Sequence, residues 1–188
     1  MAGGATGGVD EVESKHPVPD PGALTDRLAA LGFRAAPEQE QLDEYYDTPD
    51  GQLRRQDLVT RLRVVAGVVT AGFKGPRSYA DDGTYRRVEV EFPAGAGTRD
   101  AFARQGLVVV WRMAKRRREF HRDGLVVAVD ELPRVGTYVE FEGDPAQITL
   151  ARQQVAGLIG PPEPRNYAEL ATGWLRAHGQ PDARELTF

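Results

Sequence analysis

Glu11 and Glu13, Glu89 and Glu91, and Glu140 and Glu142 are three pairs of glutamates two residues apart, each set in strand-like sequence. Arg61 with Arg63, and Lys115 with Arg117, share that spacing. In a β-strand, residues two apart point to the same face. A strand that alternates apolar with polar normally turns its polar face to water. Here the polar positions are almost purely charged, with both signs on different strands, the pattern of a sheet whose charged face encloses something charged. Guanidinium and ammonium groups bind phosphate oxygens, Arg in bidentate fashion and Lys as a compact point charge. Carboxylates are oxygen donors suited to Mg²⁺ or Mn²⁺. Phosphoryl-transfer chemistry needs both kinds of group, to neutralise developing charge and to align the attacking atom.

Collected by face, the acidic set is Glu11, Glu13, Glu89, Glu91, Asp130, Glu140 and Glu142, and the basic set is Lys15, Arg61, Arg63, Lys74, Arg87, Lys115 and Arg117. Burying so many ionised groups is costly unless they are paired or ligand-bound. One E-x-E taken alone is most often a solvated strand face. Five two-spaced pairs on alternating strands make a charged, hydrated tunnel the better reading. The run Lys115-Arg116-Arg117-Arg118 would by itself be a solvated patch, but on a strand only one alternating pair of it faces inward. Of the chain's 24 lysines and arginines only Lys15, Lys74 and Lys115 are lysines, and all three fall in the basic set.

These residues need strands to hold them. Val9 to His16 reads as a strand that the proline-rich stretch from Pro17 ends early. Helical spacing over Gly22 to Leu31 is followed by Gly32 as a C-cap. Gln39 to Tyr46 is extended, with a strong turn at Asp47-Thr48-Pro49-Asp50-Gly51. Leu58 to Val65 and Val68 to Lys74 form a hairpin about Ala66-Gly67, and residues 76–84 form a polar loop. Tyr85 to Phe92 alternates again, and Thr98 to Gln105 is a short helix. Leu107 to Phe141 is a meander with turns near Asp123-Gly124 and Pro133 to Gly136. Helices over Pro145 to Ile159 and Asn166 to His178 close the chain. Some eight strands with helices at the ends and edges predict a mainly antiparallel α+β protein, a closed barrel fitting best.

At 188 residues the chain suits one domain, 9–180, between an N-terminal tail 1–8 that is Gly- and Ala-rich and a C-terminal tail 181–188. No cysteine is present, which excludes disulfides, thiolate metal sites and cysteine nucleophiles. A net charge of -4 argues against a general nucleic-acid binder. No apolar run approaches a membrane span, and a cytoplasmic protein without membrane partners is expected. His16, His121 and His178 lack metal-ligand spacing, Tyr45 and Tyr46 read as core and rim, and Trp111 and Trp174 as packing residues. Ser14 has no His or Asp partner in a triad-like motif.

At the N-terminus, Glu11-Val12-Glu13-Ser14-Lys15 matches the E-x-E-x-K signature of the CYTH superfamily, the triphosphate tunnel metalloenzymes. Further matches fall in family order. Gln41 to Leu53 resembles the "Y-F-D-T-P-D" segment, Arg61-Leu62-Arg63 the R-x-R strand, and Phe73 to Pro76 the "K-G-P" strand end. Arg87 to Glu91 resembles the R-x-E-x-E strand, and Lys115-Arg116-Arg117 the K-x-R strand. Asp130-Glu131, Gly136 and Val139 to Glu142 resemble the family's ending. The resemblance covers about residues 9 to 178 and implies an eight-stranded antiparallel β-barrel tunnel that binds a triphosphate with Mg²⁺ or Mn²⁺. It implies the basic set as substrate ligands and Glu11, Glu13, Asp130, Glu140 and Glu142 as metal ligands. Glu89 and Glu91 would hold a second metal or orient the cations. Glu11, Glu13, Lys15 and Glu140 are the catalytic candidates. Several hydrolytic relatives carry a Tyr-Lys pair on a plug helix. With no lysine beyond 15, 74 and 115, that device is absent here or replaced.

Metal-dependent hydrolysis of an inorganic, nucleoside or thiamine triphosphate is the leading expectation, ahead of class IV adenylyl cyclase activity on ATP. A non-catalytic polyphosphate- or nucleotide-binding module is the second alternative. An RNA 5′-triphosphatase is disfavoured by the acidic net charge. The partner is a small-molecule triphosphate, and the oligomeric state is open between monomer and homodimer.

Overall fold

The structure, a computed structural model, describes residues 9–188. Strands that carry charge at every second position can bury that face only if their sheet closes on itself. This sheet does. β1 (Val9–Pro17) pairs with β10 (Gly136–Glu142) on one side and with β7 (Tyr85–Pro93) on the other. Between them, β10 leads through β9 (Leu125–Leu132), β8 (Val108–Arg122), β3 (Gln39–Asp47), β4 (Val59–Val65) and β5 (Val68–Lys74) to β7. The result is a closed eight-stranded barrel in which every neighbouring pair is antiparallel. Two of its hairpins turn on pairs of left-handed residues, Ala66 with Gly67 and Asp123 with Gly124, the twist that two-residue hairpins prefer.

Most of the apolar core lies outside the barrel, and the rest closes one end of it. Helices α1 (Pro21–Ala30) and α4 (Pro145–Gln154) press Leu24, Leu28, Ile148 and Ala151 onto the outward side chains Val127, Val129, Val139 and Phe141. Each begins where an aspartate, Asp20 or Asp144, caps backbone N–H groups just ahead of a proline in the first turn. Phe102 of α3 (Thr98–Arg104) packs on Tyr46, Leu62 and Ala71. Helix α5 (Tyr167–Ala177) lays Leu170, Ala171 and Leu175 against Trp111, Met113 and Leu132. Fully burying one such Leu or Phe contributes roughly 1.5–3 kcal/mol. The external layers thereby supply stabilisation that a charged interior cannot. Among the described residues no helix is long and apolar enough to cross a membrane.

Three expectations need correction. β1 does not stop at His16: Pro17 pairs with Tyr138, and Val18 N donates to Thr137 O at 2.9 Å. The proline is tolerated because the polar groups of residue 17 point away from β10, where Pro17 O accepts from Gly160 N at 2.8 Å. The polar loop 76–84 contains β6 (Ser78–Tyr79), which extends the sheet beside β7. Residues 181–188 are no tail, because β11 (Glu185–Leu186) pairs parallel with β8 and buries Leu186 completely. The short β2 (Arg34–Ala35) also joins β8, and α2 (Gln52–Arg55) follows the predicted turn after β3. Residues 1–8 lie outside the described residues.

The pairing of β1 with β7 ends at Glu13 opposite Tyr85. Beyond it the segment 159–166 takes the place of a strand, with Glu163 N donating to Lys15 O at 2.8 Å. This strap fits closely: a Cβ on Gly160 would lie 2.7 Å from Pro17 Cγ, whereas one on Gly157 would meet nothing within 4 Å. Gly160→Ala is therefore expected to lower stability to urea unfolding by about 1–3 kcal/mol, and Gly157→Ala to stay within about 0.5 kcal/mol. Equal effects would contradict the close contact.

Candidate functional site

The barrel encloses a cavity of about 1280 Å³ that opens outward between α2 and α5. Glu11, Glu13, Lys15, Arg61, Arg63, Lys74, Arg87, Glu89, Glu91, Lys115, Arg117, Glu140 and Glu142 all line it. Alternation places them there. Arg116 instead turns outward to Glu40 and Glu131, and Arg118 lies over Phe120. Asp130 is set apart: it is fully buried and is not among the lining residues.

Cross-strand register sorts the lining into pairs. Glu89 sits opposite Lys74, and Arg61 opposite Gly72, which in turn sits opposite Glu91. Glu91 and Glu89 both take Arg61, and Glu89 also takes Lys74. The missing side chain at Gly72 makes room for this cluster, since a Cβ there would lie 3.1 Å from Arg61 Nε and 3.2 Å from Glu91 Oε1. On the opposite wall Asp130 accepts from Lys115 Nζ at 3.1 Å and from Arg117 Nε at 2.8 Å, while Arg117 also reaches Glu140. Burial alone would raise the Asp130 carboxyl, but Arg117 and Lys115 outweigh it and hold the group far below the usual range. Glu89 behaves likewise: against the upward push of burial, Glu11, Lys74 and Arg61 hold it at about 2.

Two cations have no such anchor. Lys15 and Arg87 are buried, and among the described residues no carboxylate forms an ion pair with either. Arg87 donates through Nε and Nη2 to Gly75 O, and Lys15 has only the face of Tyr167, 4.8 Å from its Nζ to the ring centre. Burial pushes the pKa of both groups down.

The carboxylates show the matching excess. Glu13 lies directly opposite Glu142 across the β1–β10 pair, an arrangement that destabilises a sheet when both are charged. Oxygens of Glu11, Glu13 and Glu142 all lie within 4.8 Å of one another. Among the described residues no group donates a hydrogen bond to buried Glu11 Oε2, the nearest cation being Lys74 at 3.8 Å. Burial, aided by a hydrogen bond with Glu89, pushes Glu11 up to about 9. Burial and the neighbouring Glu140 push Glu13 up to about 7, and burial raises Glu142 as well. An all-oxygen cluster with one orphaned buried oxygen fits a hard divalent cation such as Mg²⁺ or Mn²⁺.

Several residues of the site escape the spacing argument. Asp43, 1% exposed, binds Arg63 through two bonds of 2.7 Å, yet its inward neighbours along β3 are Gln41 and Tyr45 rather than another acid. Tyr167, predicted as one residue of a packing stripe, donates its hydroxyl to Asp130 at 2.8 Å and covers Lys15 and Lys115 with its ring. Both lysines come from strands, β1 and β8, since α5 itself carries none. Arg77, in the predicted loop, holds Asp57 and donates to Pro164 O at 2.9 Å, fixing the strap ahead of Tyr167. Ser14 does have a histidine partner, contrary to expectation: its hydroxyl donates to His16 Nε2 at 2.8 Å, and His16 Nδ1–H donates to Gly160 O at 2.9 Å. Both side chains lie on the outer face of β1, almost fully buried, so the pair fastens the strap and faces away from the barrel cavity.

Residues 10–157 match the family model of the CYTH domain. The chain belongs to that family. It is 26% identical over 132 residues to a protein of Methanocaldococcus jannaschii provisionally named an adenylate cyclase, covering 70% of this chain and 75% of the relative. A provisionally named adenylate cyclase from Vibrio parahaemolyticus shares the fold with a TM-score of 0.71 at 23% identity, over 88% of this chain and 99% of that one. A protein from Hippeastrum, provisionally named an adenylyl cyclase and described as having a dominant triphosphatase activity, gives a TM-score of 0.65 at 19% identity, over 89% of this chain and 96% of that one.

Because the folded CYTH barrel holds the Glu11 and Glu13 protons more tightly than an unfolded chain, its metal-free stability falls as pH rises through their range. Neutral buried His16 works the other way, but its contribution is complete above its ordinary value of 6.5. The melting temperature of chelated protein is thus expected to fall from pH 6.5 to pH 8, and Mg²⁺ to remove that decline by displacing the protons. A melting temperature that is flat over this range and indifferent to Mg²⁺ would contradict the cluster.

Proposed function

We propose that the protein is a divalent-metal-dependent phosphohydrolase acting on a triphosphate held inside the barrel. One observation carries the reading: among the described residues Lys15 and Arg87 are buried cations without a carboxylate ion pair, in the same cavity as three glutamates whose oxygens lie within 4.8 Å of one another. A polyanion satisfies the first and a hard cation the second. Neither ligand alone balances both.

In this reading Glu11, Glu13 and Glu142 hold the metal. Mg²⁺ or Mn²⁺ bound there would supply Lewis-acid polarisation of phosphoryl oxygens. Lys15 and Arg87 contact the phosphate chain directly and stabilise charge developing on the transferred group and on the leaving pyrophosphate. Lys74, Arg61, Arg63, Lys115 and Arg117 complete the phosphate contacts from the walls. Glu89, Glu91, Asp43, Asp130 and Glu140 keep those cations in place. Asp130 and Glu140, which the family resemblance implies as metal ligands, are thereby proposed as positioning residues, as are Glu89 and Glu91. Tyr167 and the strap close one end and restrict water around the reacting phosphorus. Attack of water on a terminal phosphorus breaks its bridging P–O bond and releases orthophosphate and a shortened chain.

Cyclisation of ATP is the second reading, favoured by the cyclase names of the relatives. The dominant triphosphatase activity of the Hippeastrum protein, a fold neighbour, supports hydrolysis. Incubation with tripolyphosphate, ATP and thiamine triphosphate under Mg²⁺ or Mn²⁺ separates them. Orthophosphate release is expected, chelation should abolish it, and cyclic AMP as the main product would overturn hydrolysis. Glu13→Gln is expected to lower turnover by about a hundredfold or more while triphosphate still binds. Equal binding with no turnover in wild type and Glu13→Gln would mean a binding module instead.

A further inference from the structure

Lys15 and Arg87, which among the described residues have no carboxylate ion pair, are placed by backbone instead. Arg87 donates twice to Gly75 O, and the carbonyl of Lys15 itself accepts from Glu163 N of the strap. Arg77 touches both supports. It follows Gly75 by two residues, and its own backbone N–H donates to Asp57 Oδ2 at 2.7 Å, which fixes the 75–77 segment against the end of α2. Its guanidinium donates through Nε and Nη2 to the same carboxylate at 2.6 to 3.0 Å, and through Nη1 to Pro164 O of the strap at 2.9 Å. The rings of Tyr79 and Tyr85 lie 5.7 and 6.0 Å from its Cζ. Asp57 presents its carboxylate from a left-handed backbone, φ 54°, which aspartate adopts more readily than most residues. One planar fork thus joins three segments that meet at the cavity: the end of α2, the link from β5 to β6, and the strap that leads into Tyr167.

We propose that Arg77 is a positioning residue for the tunnel: clasped to Asp57, it sets the places of Arg87 and Lys15 through Gly75 O and the strap, without contacting the phosphate chain itself. This rests on the triphosphate reading of the tunnel and extends it to a residue that the alternating charges do not include. Arg77 lines the cavity, so direct contact with phosphate is the competing role. Its bonds argue against that role. Nε, Nη1 and Nη2 each already donate within the protein, and the Asp57 carboxylate neutralises the guanidinium charge. The clasp also needs the fork, since a lysine is a point charge that cannot hold a carboxylate side-on and a carbonyl at the same time. Arg77 stands close to both cations: burial is the main cause of their lowered pKa values, and Arg77 adds to it at each. Cations that must meet charge developing in a transition state lose their effect when displaced by a fraction of a bond length, so a clasp that places two of them governs turnover.

The test is steady-state hydrolysis of tripolyphosphate under Mg²⁺, together with amide hydrogen exchange of the strap, in full-length wild type, Arg77→Gln, Arg77→Lys, Asp57→Asn and the combined Arg77→Gln, Asp57→Asn variant. Each single variant is expected to lower kcat by about tenfold to a hundredfold, with KM little changed because the wall cations still hold the chain. The combined variant should be no worse than the weaker of the two singles, as for two halves of one clasp. The Gly160 and Glu163 amides should exchange faster in every variant. Asp57→Asn keeps the shape of a partly exposed side chain, so it tests the clasp even where Arg77→Gln fails to fold. Recovery of kcat in Arg77→Lys, or a lower KM in Asp57→Asn, would make Arg77 a direct phosphate ligand and overturn the clasp. Lowered melting temperatures with kcat and strap exchange unchanged would make it a merely structural residue and overturn the clasp as well. Both results would leave the tunnel reading intact, whereas a wild type that hydrolyses no triphosphate would overturn that reading and this inference together.

Discussion

Glu13 and Glu142 face each other across an antiparallel strand pair inside a closed barrel, with Glu11 close by and, among the described residues, no cation paired to any of the three within ordinary hydrogen-bond distance. Like charges held so close and away from bulk water must either keep protons or share a cation. Much of the surrounding structure follows from how that is managed. The raised carboxyls of Glu11 and Glu13 record the cost in the protein alone, and the unpaired Lys15 and Arg87 record a complementary cost of opposite sign. The two defects do not cancel each other, because the ammonium of Lys15 lies over the Tyr167 ring and, among the described residues, forms no ion pair with the acids near it. A ligand of two parts, metal and phosphate, removes both.

A barrel filled with charge cannot draw stability from its own interior, so the hydrophobic layer is displaced to the outside. α1 and α4 cover the β1–β10–β9 wall, α3 covers β3–β4–β5, and α5 with β11 covers the end near Trp111 and Leu132. That arrangement also fixes where the cations point. Val127 and Val129 are clamped by the outer core, so Ala128 and Asp130 must face inward, and Asp130 then anchors Lys115 and Arg117. The strap extends the same logic along β1. Pinned through Gly160, His16 and Arg77, it completes the barrel wall past Glu13 and delivers Tyr167 over Lys15.

How much of this was legible in the sequence depends on whether a feature repeats. Paired charges two apart on Glu11–Glu13, Arg61–Arg63, Glu89–Glu91, Lys115–Arg117 and Glu140–Glu142 signalled an inward face, and the antiparallel barrel with its helical flanks followed from the turns between those strands. Single inward charges gave no such signal. Asp43 stands between Gln41 and Tyr45, so its face reads as polar rather than acidic, and only the register with β4 brings Arg63 to it. Tyr167 was indistinguishable from the apolar stripe of α5, since the same helical periodicity places a packing residue and a ring over two lysines. Pro17 misled because a proline ends a strand only when its missing N–H falls on the paired side, and here it falls on the side of the strap. Roles within the acidic set were also hidden. Spacing treats Glu140 and Glu142 alike, whereas the fold gives Arg117 to the first at closer range than to the second.

The central claim is that the two uncompensated sets inside the barrel are the two halves of one ligand site. Diffraction at the manganese absorption edge, from crystals grown with Mn²⁺ and a non-hydrolysable triphosphate, tests it most directly. The account predicts an anomalous peak among the carboxylates of Glu11, Glu13 and Glu142, with phosphate oxygens in contact with Lys15 and Arg87. Manganese bound only to surface carboxylates, with the triphosphate outside the barrel or absent, would contradict it.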